Sequence, residues 1–257
     1  MKQQEIAVQV ICESLKKDPH VEAVFLKGSM GRGEHDEHSD IDMYCLVRQG
    51  EETGFLERRL EHLRAYREVI FTDDIFIVAP QLIAVFDNYL HIDLFAVTRE
   101  SFPGHDHFTV LHDPHDVMKE FIVTQGLALS LEEYRDDVMD IAWFLFQYRK
   151  SAARGNDIWS VRMLSNVVHH LARALLHRYA PERAQLGLKT VSQSLPEELA
   201  AEMISIHERV TPSRHGQAAG LVSSLLATEY EWIQEQLKEE TQTLGFLQRM
   251  IELHAVV

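Results

Sequence analysis

The sequence predicts an α+β protein, with an N-terminal mixed β-sheet flanked by helices followed by an all-α helical bundle. Three observations predict it. Apolar runs of strand length recur between Val21 and Val97, the apolar period lengthens from 2 to 3.6 near Leu131, and Pro103, Gly104 and Pro114 punctuate the stretch between them. A chain of 257 residues has room for two small cores. We therefore expect a first domain over residues 1–120 and a helical domain over residues 121–257.

Composition narrows the function classes. The formal net charge is −15, from 25 Lys and Arg against 40 Asp and Glu. Such a balance argues against a nucleic-acid partner, whose backbone is gripped by clustered basic residues. It suits a cationic small molecule, and equally a chain that uses acid for solubility. Cys12 and Cys45 are the only cysteines, which points to no disulfide framework and to a reducing cytoplasm. No run approaches the ~18 apolar residues of a membrane span, and the N-terminal apolar run is too interrupted for a signal peptide, so no membrane partner is expected.

The first element is an amphipathic helix over about residues 3–17, read from Ile6, Val10, Ile11 and Leu15 and ending before Asp18-Pro19. Val21 to Leu26 is a strand rich in β-branched and aromatic residues that runs into Gly28-Ser29. Gly28 allows a backbone to approach a phosphate closely, and Ser29 offers it a hydroxyl and an N–H. A short helical turn over residues 29–33 would aim further N–H groups at an anion. Arg32 lies on that turn, placed either to reach a nucleotide phosphate or to pair with a neighbouring acid. The polar loop Glu34 to His38 reads as a solvated turn despite its two histidines.

A second strand, Asp40 to Val47, follows. On a strand, Asp40 and Asp42 share a face while Ile41 points away, so two carboxylates converge without a bend. Such a pair suits Mg²⁺, which takes one or two carboxylates and completes its shell with water and phosphate oxygens. Phe55, Leu56, Leu60 and Leu63 then mark a helix to about Tyr66. Beyond it come strand-like runs, VIF, IFIVA, QLIAVF and YLHIDLFAV, the last two joined by a two-residue Asp87-Asn88 connection that predicts an antiparallel hairpin. Alternation in the last run puts His91, Asp93 and Phe95 on one face. A mid-strand acid among apolar neighbours is costly unless paired, protonated or metal-bound, which links Asp93 to the acid pair. His91 is either a partner of that cluster or a packed histidine.

Residues 100–120 read as a loop around a short strand, Phe108 to Leu111. Its four histidines, His105, His107, His112 and His115, lack zinc-site spacing. Helices take over at Leu131. Val138, Ile141 and Leu145 mark the first, Arg154-Gly155-Asn156 breaks it, and Asn156 or Asp157 caps the next, whose stripe of Val161, Leu164, Val168, Leu171 and Leu175 runs to about Tyr179. Further helices are expected over about 197–209, 216–238 and 244–255, with Trp143, Trp159 and Tyr230 in their core rather than as a base-stacking box.

The Gly28-Ser29 turn followed by Ser39-Asp40-Ile41-Asp42 resembles the signature of the nucleotidyltransferase superfamily that includes DNA polymerase beta. Within it, the first hundred residues look most like small bacterial aminoglycoside and lincosamide nucleotidyltransferases. The resemblance implies transfer of a nucleoside monophosphate, AMP, from ATP or another NTP to a hydroxyl of a small molecule of the aminoglycoside-antibiotic type, with two Mg²⁺ ions. Asp40, Asp42 and Asp93 would be the metal-binding and catalytic acids, Asp93 matching the general base. Gly28, Ser29 and Arg32 would hold the nucleotide, together with Lys189, which stands in a loose match to the family's helical domain at GLK. Homodimers occur among relatives. Adenylylation of a protein, a non-catalytic nucleotide-binding module and an RNA-tailing enzyme are the alternatives, the last disfavoured by charge.

Overall fold

A computed structural model describes residues 2–104 and 106–254. The chain divides into two compact units, Met1–Gly126 and Leu127–Val257. The first unit carries a six-stranded sheet of order β3-β4-β5-β2-β1-β6, formed by Val69–Phe76 (β3), Pro80–Phe86 (β4), His91–Val97 (β5), Ile41–Val47 (β2), Val21–Leu26 (β1) and Thr109–His112 (β6). β2 and β5 run parallel and the other pairs antiparallel, so the sheet is mixed as expected.

Strand alternation gives the sheet two unlike faces. Ile41, Met43 and Cys45 of β2 and Ile92 and Leu94 of β5 point to the side covered by the helices Gln3–Leu15 (α1) and Glu52–Arg64 (α3), packing with Ile11, Leu15, Phe55 and Leu63. At roughly 1.5–3 kcal/mol for each large apolar side chain buried, this is the main core of the unit. The opposite face carries Phe25, Tyr44 and Phe95 and is covered by Phe102, Phe108, Met118 and Phe121. The segment after β5 is therefore more than a surface loop. It lays a second, aromatic core on the sheet and adds a 3₁₀ helix, Val117–Thr124, within the unit that ends at Gly126. His105 lies outside the described residues.

Two hairpins depart from expectation. VIF and IF are one strand, β3, because Thr72-Asp73-Asp74 continues the ladder to β4, while Ile77 and Val78 form the turn. The β4–β5 connection has three residues, since Phe86 N–H donates to Leu90 O at 3.0 Å and Tyr89 takes a left-handed φ of 61°. That is the known three-residue pattern, a turn followed by one residue with positive φ.

Asp18, its side chain 1% exposed, ties the α1–β1 corner to α3 by accepting from Arg58 Nη2 at 2.9 Å and from His62 Nε2 at 3.0 Å. Burial pushes its carboxyl up, but the bonds from Arg58, from the His20 N–H and from His62 outweigh that, and it titrates below the ordinary carboxylate range. A depressed carboxyl stabilises the fold above its unfolded pKa, about 3.9, and loses that contribution as pH falls through the folded value. Asp18→Asn is expected to cost about 2–3 kcal/mol at pH 7. Denaturant melts should show the gap between variant and wild type closing below about pH 4.

The second unit is helical. Leu131–Ala153 (α4) begins with a capping box, the Glu133 N–H donating to Ser130 Oγ at 3.2 Å and the Ser130 N–H to Glu133 Oε2 at 2.8 Å. Asn156 caps Asp157–Tyr179 (α5) through the Trp159 N–H. The later helices are Val191–Ser194 (α6), Glu197–His207 (α7), His215–Gln236 (α8) and Thr241–His254 (α9), with Gly28–Gly31 (α2) completing the series in the first unit. Their core is aliphatic, drawn from Val138, Ile141, Leu164, Val168, Leu171 and Leu226 among others. Trp143 and Trp159 are 48% and 53% exposed, contrary to expectation, because both fall outside the i, i+3, i+4 stripe that faces this core. Tyr230 is partly buried, as expected. Among the described residues no helix is long and apolar enough to cross a membrane. Cys12 and Cys45 are buried free thiols.

Candidate active site

Asp42 and Asp93 are paired residues of the parallel strands β2 and β5. Residues paired across adjacent strands lie on the same face about 5 Å apart, so the two carboxylates stand side by side. Two residues further along each strand, Tyr44 stacks on Phe95 with centroids 4.2 Å apart and planes 9° from parallel. The acids thus stand at the end of an aromatic floor. Asp40 lies just before β2 and is the most open of the three, its side chain 47% exposed against 14% for Asp93.

His91 joins the outer acid to the inner one. Its Nε2 lies 3.0 Å from Asp93 Oδ1 and its Nδ1 lies 3.7 Å from Asp40 Oδ2. The bond to Asp93 raises its pKa, burial opposes that, and the charges of Asp93, Asp40 and Asp42 add to the rise. Of the two sequence readings, partner of the acid cluster is the one the geometry supports.

The glycine turn reaches the same place from β1. Lys27 N–H donates to Asp42 O at 3.0 Å, which sets the turn directly beside Asp42. Gly28 has φ +60°, and a Cβ there would fall 1.9 Å from Asp42 Oδ2. Backbone conformation and space both demand glycine, for they leave the carboxylate where a side chain would otherwise stand. Ser29 is the second residue of the single turn of α2, whose leading N–H groups have no partner within the helix. Arg32 pairs with Glu34 Oε2 at 3.0 Å and Asp106 Oδ2 at 2.7 Å, so the neighbouring-acid reading describes it here. Lys189 is exposed at the end of a 3₁₀ helix, Pro181–Lys189, in the second unit.

Two residues of the site escaped sequence reading. Lys27 is 4% exposed, with Nζ donating to Pro103 O at 2.9 Å and lying 5.2 Å from the Phe102 ring and 5.6 Å from the Tyr44 ring. Burial lowers its pKa to about 8, against the pull of Asp106. The available signal was parity, because Ala23, Phe25 and Lys27 share one face of β1. Gln4, 3% exposed on α1, donates from Nε2 to the carbonyls of Asp36 and Glu37 at 3.1 Å and of Ser39 at 3.0 Å. It pins the loop that delivers Asp40. No local pattern announces such a contact.

The donor set can be tested against Mg²⁺. Carboxylate oxygens are the right chemistry, and Gly28 leaves one side of Asp42 uncovered by any side chain of its own. Among the described residues no group of three or more His, Cys, Asp and Glu side chains is gathered to hold a metal ion. The Asp42 and Asp93 carboxylates, paired across β2 and β5, have the chemistry of an ion held by two carboxylates and completed by a ligand's phosphates, as Mg²⁺ prefers.

Residues 9–86 match the family model described as polymerase beta, nucleotidyltransferase. The match spans the glycine turn and the Asp40/Asp42 pair and ends before β5. No curated protein matches the chain in sequence. Among solved structures, the chain is similar to an aminoglycoside 6-adenyltransferase from Bacillus subtilis, 11% identical over 99% of each chain with a TM-score of 0.43. It is also similar to a nucleotidyltransferase-like protein from Exiguobacterium sibiricum, 13% identical over 92% of this chain and 79% of that one, again with a TM-score of 0.43. The family match falls on the glycine turn and on the Asp40/Asp42 pair, so residues 9–86 carry the sequence pattern of a polymerase beta nucleotidyltransferase.

Proposed function

We propose that this enzyme transfers AMP from ATP to a hydroxyl group of a small cationic molecule, in the cytoplasm, with Mg²⁺. The observation that carries the reading is the registered Asp42/Asp93 pair with Gly28 set against Asp42. Asp40 and Asp42, and Asp93 in part, would hold magnesium, which when bound offsets charge on the triphosphate and on the entering and leaving oxygens. Gly28 and Ser29 cradle the phosphates through backbone N–H groups and the Ser29 hydroxyl. Arg32 reaches a phosphate only by exchanging Glu34 or Asp106 for it.

Asp93, the more sheltered acid, accepts the proton of the acceptor hydroxyl. The acceptor oxygen then bonds to the α-phosphorus, the bond from that phosphorus to the bridging oxygen breaks, and pyrophosphate leaves. His91, bonded to Asp93, holds the carboxylate's orientation. The net charge of −15 favours a polycationic acceptor of the aminoglycoside kind. A protein acceptor is the second reading, favoured by the apolar β3–β4 tip, where Phe76, Ile77 and Val78 are 72%, 70% and 56% exposed.

The test is single-turnover pyrophosphate release from each NTP with Mg²⁺, against a panel of aminoglycosides and lincosamides, with Asp40→Ala as control. Release that needs an acceptor and is lost in the variant supports the transfer. NTP with Mg²⁺ at 100 times Kd should also raise stability by about 2.7 kcal/mol. Nucleotide binding without release from any panel member would move the reading to the protein acceptor.

A further inference from the structure

The sheet register carries the site beyond its acids. Asp42 pairs with Asp93, Asp93 with Ile83 of β4, and Ile83 with Asp73 of β3. The next row runs from His91 to Val85 to Phe71. Residues paired in this way share a face, so Phe71, Asp73, Ile83 and Val85 extend the catalytic face outward to the sheet edge. Burial agrees with the parity. Leu82, Ala84 and Phe86 are buried on the helix-covered side, whereas Ile83 and Val85 are half-buried and Phe71 is 54% exposed.

The acid on this shelf differs from its neighbours. Asp74 points to the other face and pairs with Arg59, and Asp87 pairs with Arg67. Asp73 is exposed, and its side chain has no ion pair or hydrogen bond among the described residues. β3 lies two strand spacings from β5, about 10 Å. An apolar ledge therefore leads from the proton-accepting acid to a second carboxylate that lacks a cation.

We propose that this ledge is the acceptor subsite, with Phe71, Ile83 and Val85 supporting the acceptor's body and Asp73 selecting a protonated amine about 10 Å from the reacting hydroxyl. The inference rests on the transferase reading and deepens it, naming the side chains that would seat the acceptor's body and its amine. Continuity with the catalytic row and charge complementarity are its grounds.

Calorimetric binding of kanamycin, and of kanamycin acetylated on every amine, to the full chain tests it. Wild type should prefer kanamycin. Asp73→Asn should weaken kanamycin about 10-fold and leave the acetylated probe unchanged, with Asp73→Glu recovering most of the loss. Phe71→Ser should weaken both probes. Where kanamycin is turned over, Asp73→Asn should raise KM and spare kcat. Equal binding by wild type and Asp73→Asn overturns the subsite, as does a wild type that binds neither probe; Asp73 is then a solvated guard on an edge strand. Asp93-dependent transfer that ignores Asp73 refutes the subsite alone. Asp73-dependent binding with no turnover refutes the transfer alone.

Discussion

Asp93→Asn should lower single-turnover pyrophosphate release about 10³-fold while leaving NTP affinity within a few-fold of wild type. The amide keeps the shape of the carboxylate and can still meet His91, so the β2–β5 pairing and the aromatic floor have no reason to change. What is lost is a group that can take the acceptor proton. In the proposed arrangement the triphosphate is gripped from the other side of the site, by the Gly28-Ser29 turn and by Asp40 and Asp42, and the turn is placed by β1 and the Lys27–Asp42 backbone bond rather than by Asp93. A fall in turnover with binding kept therefore separates an acid that acts on the acceptor from one that only holds metal. Asp42→Asn supplies the contrast, because it should lower nucleotide affinity in the presence of Mg²⁺ as well as turnover. Equal loss of NTP binding in both variants would remove Asp93 from its role as base.

What the sequence disclosed follows from the range over which each contact acts. Strand alternation placed Asp40 with Asp42 and His91 with Asp93, because parity is local. The energetic cost of a mid-strand acid pointed Asp93 toward the pair; in the fold the parallel register of β2 and β5 sets Asp42 beside it, and His91 Nε2 at 3.0 Å offsets part of that cost. No local pattern reports which strands will be neighbours across some fifty residues of chain. Asp73 was hidden for this reason. The polar Thr72-Asp73-Asp74 interruption reads as a turn between two strands, and only the ladder to β4 shows it to be strand. Lys27 was missed because a lysine at a strand end ordinarily reads as solvated. Its burial depends on Phe102 and Pro103, which arrive from far along the chain. In the second unit the helical stripes were legible by period, whereas the exposure of Trp143 and Trp159 depends on how those stripes meet.

Gly28→Ala should abolish most activity, at least about 10²-fold, while Gly33→Ala leaves activity near wild type. Both glycines have positive φ, +60° at Gly28 and +73° at Gly33, so an alanine at either pays a similar conformational penalty of about 1–2 kcal/mol. Their surroundings differ. A Cβ at Gly33 meets nothing within 4 Å, whereas one at Gly28 would lie 1.9 Å from Asp42 Oδ2 and 2.9 Å from its Cγ. The methyl can be accommodated only if the carboxylate swings away or the turn lifts from β2, and either movement separates the phosphate cradle from the acid beside it. Displacements of about 1 Å in a reacting constellation are enough for losses of this size. Thermal melts of the two variants should fall by similar amounts, with any excess at Gly28 reporting the clash, while NTP binding in Mg²⁺ should weaken only in Gly28→Ala. Equal activity in the two variants would mean that the turn tolerates movement and that Asp42 is not held against it for catalysis.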